Sequence, residues 1–242
     1  MKMTLFITAV LLAFLLFSSC TAIRKPPRYD LEKADGIVIT EKMRSGYGKI
    51  ENISGRFDFS YSTERGIDRS WGNVTANRND TLYVEILGLA GGIEAEIFID
   101  RDSLIAKNHS RGMTVRDISD ENSFYRITGM NFNVSDIRRL LFVYGRDEKF
   151  QSITSVSDEK LTFRSVTDDQ RYSFVTLDDR MLVVRSEDYF ERDLVSVREY
   201  DYYSHDSGFF YPRRIRIRTY NPPSRLTVFF TRLSVNGNKK ER

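Results

Sequence analysis

The sequence predicts a mainly β (α+β) fold, in which about eleven antiparallel strands form one strongly curved, partly closed sheet. Three observations lead to this fold class. Apolar and polar residues alternate through most of the 242-residue chain, which is the pattern of half-buried strands. Turn sequences separate these runs about every 8–12 residues. Phe and Tyr, which favour strands, are abundant at 17 and 13 residues. We expect so many strands to curl rather than lie flat.

The first 20 residues predict an export signal that ends at the only cysteine of the chain. Lys2 gives the segment a positive start, and residues 5–17 form an almost wholly apolar run. This run is shorter than the ~20 residues of a membrane-spanning helix, so a signal peptide is the better interpretation. Ser18-Ser19 then precede Cys20. The order apolar–small–small–Cys resembles the lipobox of bacterial lipoproteins, with Phe17 where Leu is more usual.

The lipobox resemblance implies that Cys20 carries covalent diacylglycerol on its sulfur and an acyl chain such as palmitate on its amine, with no other cofactor. Two or three acyl chains anchor a protein firmly, because each buried CH₂ contributes ~0.8 kcal/mol. We therefore expect residues 1–19 to be a lipoprotein signal peptide, residues 20–34 to be the lipidated cysteine and tether, and residues 35–242 to be the β domain. The alternative is a secreted protein with an ordinary small-residue cleavage site.

Residue 21 bears on the membrane to which the protein is sorted. Thr21 stands where the best-known sorting rule places the Asp that retains lipoproteins in the inner membrane. The expected localisation is therefore the cell envelope, lipid-anchored in the outer membrane and facing the periplasm. Pro26-Pro27 favour an extended, semi-rigid spacer between this anchor and the domain.

The charge balance and the cysteine count limit which functions and which stabilising bonds the chain can have. Of the 37 basic residues only Lys2 lies in the signal segment, which leaves 36 against 34 acidic residues. This balance does not indicate nucleic-acid binding. Cys20 is the only cysteine, so the domain has no internal disulfide although the periplasm would permit one.

The elements of the domain follow from periodicity. A helix is predicted over about residues 35–49, because Ile39, Met43 and Tyr47 recur at helical spacing. The period then becomes two. The predicted strands cover residues 53–61, 71–76, 82–86, 93–99, 104–106, 150–156, 161–163, 172–177, 181–185, 194–203, 210–219 and 225–235.

A second helix is predicted in the middle of the chain. Ser135-Asp136 can cap it, Ile137 and Leu140-Leu141 fall on one face, and Gly145 can close it. No repeat or second domain is indicated.

No catalytic constellation is present in the sequence. His109 and His205 are the only histidines and belong to no metal-ligand motif. Ser204-His205-Asp206-Ser207 contains the residue types of a catalytic triad, but adjacent side chains of an extended chain point apart, so we interpret it as a polar turn. The carboxylate pairs Asp178-Asp179 and Glu187-Asp188 are interpreted as solvated turns. The protein is predicted not to be an enzyme.

The segment Leu87-Gly88-Leu89-Ala90-Gly91-Gly92 joins two predicted strands with apolar residues where polar ones are usual. Glycine permits a tight turn, so apolar residues at its tip would be exposed. Leu87, Leu89 and Ala90 are therefore predicted to contact membrane or acyl chains. The alternative is that Leu87 and Leu89 fold back to cover the end of the sheet.

Residues 213–218 are the most basic segment. In a strand, Arg214, Arg216 and Arg218 form an outward stripe. The stripe meets anionic lipid head groups or is balanced by cross-strand acids such as Glu199 or Asp201.

The order of these parts resembles the LolA/LolB-like superfamily of lipoprotein-carrier proteins. The opening helix followed by Gly55, Phe57 and Phe59 is similar to the start of LolB-type domains, and the 87–92 loop resembles the family's S/G-P-L-G loop, with Leu89 at its protruding leucine. Residues 128–145 resemble the family's G-x-x-(I/L)-P-V-x-x-L-x-x-W-L-x-G stretch. The chain lacks the prolines and the Trp of these motifs, and the matches extend over about residues 35–145.

The family resemblance implies a half-open antiparallel barrel with an N-terminal helix and a mid-chain lid helix over an apolar cavity for acyl chains. It implies a monomeric carrier that contacts membrane lipid, receives a lipoprotein from a periplasmic LolA-like donor, and assists its insertion at the outer membrane. From the alternation and the lid, the cavity and lid candidates are Phe57, Phe59, Trp71, Leu82, Val84, Ile97, Ile99, Leu140 and Leu141.

Two other functions remain open from the sequence. One is a structural or interaction lipoprotein of the same fold, with a filled core and a protein partner but no lipid cargo. The other, a distant third, is a lipid-active hydrolase.

Overall fold

The computed structural model describes residues 25–79, 81–120, 122–144 and 148–237. The helices are α1 (Gly36–Ser45), α2 (Ser123–Thr128) and α3 (Val134–Leu141), with short 3-10 turns at Leu31–Lys33 and Tyr47–Lys49. The strands are β1 (Asn52–Thr63), β2 (Gly66–Asn77), β3 (Leu82–Leu87), β4 (Ile93–Ile99), β5 (Ser103–Asn108), β6 (Met113–Ile118), β7 (Lys149–Val156), β8 (Lys160–Val166), β9 (Arg171–Asp178), β10 (Val183–Phe190), β11 (Asp193–Asp206), β12 (Phe209–Tyr220) and β13 (Pro223–Val235).

The strands form one antiparallel sheet in the order β6-β5-β4-β3-β2-β1-β13-β12-β11-β10-β9-β8-β7, which leaves β6 and β7 as open edges. The predicted mainly β class and the half-open arrangement are confirmed. The described residues form thirteen strands rather than about eleven. β6 was not predicted, because nearly all of its side chains are exposed and its apolar alternation is weak. No helix in the described part of the chain is long and apolar enough to cross a membrane.

The first helix is shorter than predicted. Asp35 caps α1 by accepting hydrogen bonds from the backbone N–H groups of Ile37 and Val38. Ile39 and Met43 on its buried face are almost completely enclosed. The helix ends before Gly46, and residues 47–49 continue as a single 3-10 turn.

Arg78, in the turn after β2, holds three segments together. Its Nε, Nη1 and Nη2 donate hydrogen bonds to the carbonyl oxygens of Ile50, Tyr144 and Tyr47, at 2.6, 2.9 and 2.5 Å. The guanidinium therefore joins the start of β1 to the segment that follows α3.

The cap of the lid helix lies two residues before the predicted Ser135. Asn133 is the cap of α3, because its side chain accepts from the backbone N–H of Asp136 while Asp136 accepts from that of Asn133. The helix ends at Leu141, and Gly145, which was expected to close it, lies outside the described residues. The short helix α2 was not predicted. Together these elements form a cover over the sheet, and we call residues 122–141 the lid.

The arginine stripe on the outer face of β12 is balanced by acids of β11. Arg214 donates to Asp201 at 2.6 Å, and Arg216 and Arg218 lie 3.4 and 3.5 Å from Glu199. The prediction of cross-strand acids is confirmed.

Gly72 of β2 lies where no side chain fits. It pairs with Phe57, and a Cβ at this position would lie 1.9 Å from the backbone oxygen of Glu85 and 3.2 Å from the Phe57 ring. We expect Gly72→Ala to lower the free energy of unfolding by about 1–3 kcal/mol, because a backbone oxygen must move to admit the methyl group. Urea unfolding measures this.

The matched control is Gly92→Ala, at a position where a Cβ has no neighbour within 4 Å. Its free energy of unfolding should stay within about 0.5 kcal/mol of wild type. Equal losses in the two variants would show that the close approach at Gly72 is not the cause.

Candidate functional site

An apolar cleft lies between the lid and the concave face of the sheet. Its volume is about 90 Å³, and every side chain that lines it is apolar. The sheet contributes Phe57, Phe59, Val74, Leu82, Val84, Ile86, Ile97, Leu226, Val228 and Phe230, and the lid contributes Phe124, Met130, Ile137, Leu140 and Leu141.

Strand register brings these side chains together. Phe59 pairs with Val228 across β1 and β13, and Val84 of β3 pairs with Val74 and Ile97 of its two neighbouring strands. Because side chains alternate between the faces of a strand, residues two apart on each of these strands enter the same cleft.

Seven of the nine cavity and lid candidates line the apolar cleft, and they are Phe57, Phe59, Leu82, Val84, Ile97, Leu140 and Leu141. Trp71 does not. It pairs with Asp58 and lies in a shallow groove of the outer face with Asp58 and Phe229. Side chains three residues apart on a strand lie on opposite faces of the sheet. Because Val74 faces the cleft, Trp71 faces outward, and its expected orientation is wrong. Ile99 is fully buried but does not line the cleft.

The loop between β3 and β4 projects an apolar side chain into solvent. Leu89 is 95% exposed and Ala90 is also exposed, whereas Leu87 is half-buried at the end of β3. The backbone N–H of Gly88 donates to the carbonyl of Gly92 at 2.9 Å, which closes the loop. The alternative in which Leu87 and Leu89 fold back over the end of the sheet is therefore wrong for Leu89, whereas Leu87 is partly covered.

The β3–β4 loop and the N-terminal segment lie at opposite ends of the sheet. Antiparallel pairing across the sheet places the end of β3 at one end and the end of β9 at the other. At the second end, the backbone N–H of Tyr29 donates to Asp179 at 2.7 Å, and Arg28 lies 3.1 Å from the Asp179 carboxylate.

A row of polar side chains crosses the concave face, and the sequence pattern does not indicate it. We call it the polar row. Cross-strand pairing aligns its six buried members, one from each of β8 to β13, which are Ser165, Ser173, Asp188, Ser196, Thr219 and Ser224. Each strand contributes one small polar residue, so no single stretch of sequence signals the row.

Asp188 is the centre of the polar row. The hydroxyl groups of Ser173 and Ser196 donate to its carboxylate at 2.7 and 2.8 Å, Arg198 donates at 2.6 Å, and Arg139 of the lid donates at 3.3 Å. Burial acts to raise the pKa of the Asp188 carboxyl, but the two arginine charges and the two hydroxyl donors outweigh it and hold the pKa below its ordinary value.

The carboxylate pairs were misassigned to solvated turns. Glu187 and Asp188 lie within β10, and Asp188 is buried. Asp178 is also buried at the end of β9 and accepts hydrogen bonds from Arg180. Of these four residues only Asp179 lies in a turn.

The histidines lie in unrelated surroundings. His109 is 2.8 Å from Glu96, whereas His205 packs against the ring of Phe210 at the end of β11. Within residues 25–237, leaving out 80, 121 and 145–147, no three His, Cys, Asp or Glu side chains are placed to hold a metal ion.

Neither a protein family nor a curated protein matches this sequence. Its structure is similar to that of a DUF1329 family protein from Desulfovibrio piger, at 11% identity and a TM-score of 0.63, over 87% of this chain and 95% of that one. It is similar to a LolA superfamily protein from Nitrosomonas europaea, at 15% identity and a TM-score of 0.59, over 84% and 94% of the two chains. A candidate outer membrane lipoprotein-sorting protein domain from Vibrio parahaemolyticus gives 10% identity and a TM-score of 0.59 over 85% and 94%.

The chain shares its fold with these three structures, one of which is a LolA superfamily protein. The similarity to this open antiparallel sheet extends over 94–95% of the length of each of those three chains. At 10–15% identity the shared property is the fold, and the superfamily resemblance drawn from the sequence is confirmed at that level.

Proposed function

We propose that this protein is a membrane-anchored periplasmic lipoprotein that binds acyl chains in the apolar cleft and assists the localisation or insertion of lipoproteins at the outer membrane. The wholly apolar lining of a cleft beneath a lid is the observation that carries the proposal. The fold shared with a LolA superfamily protein and with a candidate lipoprotein-sorting domain supports it. The mechanism involves no covalent step.

Acyl-chain entry requires the lid to move. The cleft of about 90 Å³ is well below the roughly 300–1,000 Å³ of ligand sites. Phe124, Met130 and Leu140 of the lid occupy the space next to the sheet. When an acyl chain replaces these side chains, the apolar face of the sheet stays covered. The free-energy cost of opening therefore comes only from exposing the apolar face of the lid.

Filling the apolar cleft should block acyl binding. We expect Ile97→Trp to weaken the binding of a fluorescent fatty acid about tenfold, because the indole displaces about two methylene groups at ~0.8 kcal/mol each. The measurement uses the purified protein with Cys20→Ser, which removes the acyl chains expected on its own cysteine.

The matched control is Phe98→Trp, which adds the same side chain on the opposite face of β4. Phe98 does not line the apolar cleft, so the affinity should equal that of wild type. The proposal is refuted if wild type takes up no probe, or if Ile97→Trp binds it as well as Phe98→Trp does.

A structural or interaction lipoprotein is the second candidate, and the small volume of the cleft favours it. In this function the concave face is filled by its own side chains, and a protein partner binds elsewhere. Native mass spectrometry of the purified protein separates the two candidates. Co-purified lipid supports the carrier, whereas lipid-free protein that takes up no acyl probe supports the interaction lipoprotein.

We also propose acylation of Cys20, with signal peptide, tether and domain divided as the sequence predicts. Cys20 and the rest of residues 1–24 lie outside the described residues, so the support is the lipobox itself. The end of the predicted tether packs on the domain, because Leu31 is buried and Tyr29 accepts a hydrogen bond from Lys42 at 2.6 Å. Arg28 also pairs with Asp179 at 3.1 Å, so the described end of the predicted tether contacts the domain from Arg28 onward.

A further inference from the structure

A second cleft lies on the other side of the lid, and most of the residues that line it have polar side chains, together with Phe132, Phe190 and Val195. We call it the polar cleft, and its volume is about 410 Å³. Asp188, Ser196 and Thr219 of the polar row line it from the sheet, and Tyr125, Asn131 and Ser135 line it from the lid. Its volume falls within the roughly 300–1,000 Å³ of ligand sites, unlike that of the apolar cleft.

The lid separates the two clefts with side chains that alternate in polarity. Phe124 and Met130 enter the apolar cleft, whereas the next residues in the chain, Tyr125 and Asn131, enter the polar cleft. The backbone of the lid therefore lies between the apolar cleft and the polar cleft. An amphiphilic molecule, with acyl chains joined to a polar group, matches this division.

The charged groups that line the polar cleft interact within the protein, and the exposed Arg171 lies over the ring of Phe190 at 5.9 Å from its centre. Asp188 is bonded by Arg198 and Arg139 as well as by two hydroxyl groups. Asp136 accepts from the backbone of Asn133, and burial raises the pKa of its carboxyl, which favours the neutral form. The cleft also offers hydroxyl and amide groups, which can hydrogen-bond to ester and peptide groups.

We propose that the polar cleft binds the first peptide groups after an acylated cysteine, while the acyl chains of the same molecule occupy the apolar cleft. This inference rests on the proposed acyl-binding function. The ligand class is a lipidated peptide, because side-chain amides such as that of Asn131 donate and accept hydrogen bonds as peptide groups do.

Obstruction of the polar cleft tests the proposal. Ser135→Trp places an indole in the cleft, and Tyr125→Ala removes a side chain that is 52% exposed. The matched control is Ser45→Trp, at an exposed serine of α1 outside both clefts. Each variant is made in the Cys20→Ser protein. The ligands are a fluorescent fatty acid, a synthetic dipalmitoylglyceryl-cysteinyl tetrapeptide, and dipalmitoyl phosphatidylglycerol.

We expect Ser135→Trp to bind the lipopeptide about tenfold more weakly than the Ser45→Trp control, and Tyr125→Ala to bind it about threefold more weakly than wild type. Affinities for the fatty acid and for phosphatidylglycerol should stay within about twofold. Unchanged lipopeptide affinity with intact fatty-acid binding overturns the polar-cleft proposal alone. An equal loss for phosphatidylglycerol assigns the cleft to lipid head groups and also overturns it. If wild type binds neither the fatty acid nor the lipopeptide, both this proposal and the acyl-binding function are refuted.

Discussion

Replacing Asp188 with alanine is expected to lower the free energy of unfolding by about 3–5 kcal/mol, because it leaves a buried arginine charge uncompensated. Arg198 is only 2% exposed, and its Nε and Nη1 already have no hydrogen-bond partner among the described residues. The carboxylate of Asp188 is therefore the principal compensation for that charge. Chemical denaturation at pH 7 measures the loss.

The matched control is Asp201→Ala on the outer face. Asp201 also pairs with two arginines, Arg214 and Arg216, but its side chain is 31% exposed. Water replaces the lost contacts there, so the expected loss is below about 1 kcal/mol. Equal losses of unfolding free energy at the two positions would show that burial is not the reason for the large effect expected at Asp188.

The stability difference between wild type and Asp188→Ala should depend on pH. The pKa of the Asp188 carboxyl is lower in the folded protein than in the unfolded chain, where it is about 3.9. The ionised carboxylate therefore stabilises the fold at every pH above about 4, and this contribution is lost as the pH falls through the folded pKa. The difference in free energy of unfolding between the two proteins should be constant from pH 5 to 7 and should decrease below about pH 4. A gap that widens on acidification would contradict the direction of the pKa shift.

Leu89→Glu should weaken the association of the Cys20→Ser protein with lipid vesicles by about tenfold or more. Insertion of a leucine side chain into a bilayer contributes about 1.5–3 kcal/mol, and the 95% exposed side chain of Leu89 is free to make that contact. A carboxylate in its place adds a cost of its own. Sedimentation with vesicles of phosphatidylethanolamine and phosphatidylglycerol measures the partition.

Ile37→Glu is the matched control for Leu89→Glu. Ile37 is another exposed apolar residue, 77% exposed on the surface of α1. Its substitution should leave vesicle association within about twofold of wild type. If both variants bind vesicles as wild type does, the β3–β4 loop does not contact membrane lipid.

Local pattern was sufficient to predict most of the fold. Alternation in residues 53–61, 82–86 and 93–99 predicted strands that the structure contains, and the apolar spacing around Ile137 predicted the lid helix. Elements with little buried surface or very few residues were not predicted. β6 is an edge strand with little buried surface, and α2 has six residues, too few for a periodic signal.

The two clefts differ in how far the sequence could indicate them. The apolar cleft is lined by residues of regular alternation, so Phe57, Phe59 and Ile97 could be identified before their neighbours were known. The alignment of the polar row depends on how neighbouring strands are paired. Ser173 and Asp188 lie together only because β9 pairs with β10 in one register, and a polar residue in a strand is ordinarily assigned to the solvent face.

The opposite placement of the β3–β4 loop and the N-terminal segment constrains how an anchored domain sits on a membrane. From Cys20 to Arg28 the chain has eight steps, which span at most about 29 Å when fully extended. The seven residues of β4 alone rise about 23 Å, and the twelve of β12 rise about 40 Å. With its strands upright and Leu89 in the bilayer, the domain would draw the tether nearly taut. When the domain lies on its side the tether is slack. If Cys20 is acylated as we propose, tether length sets the angle at which the domain can bring its loop to its own membrane.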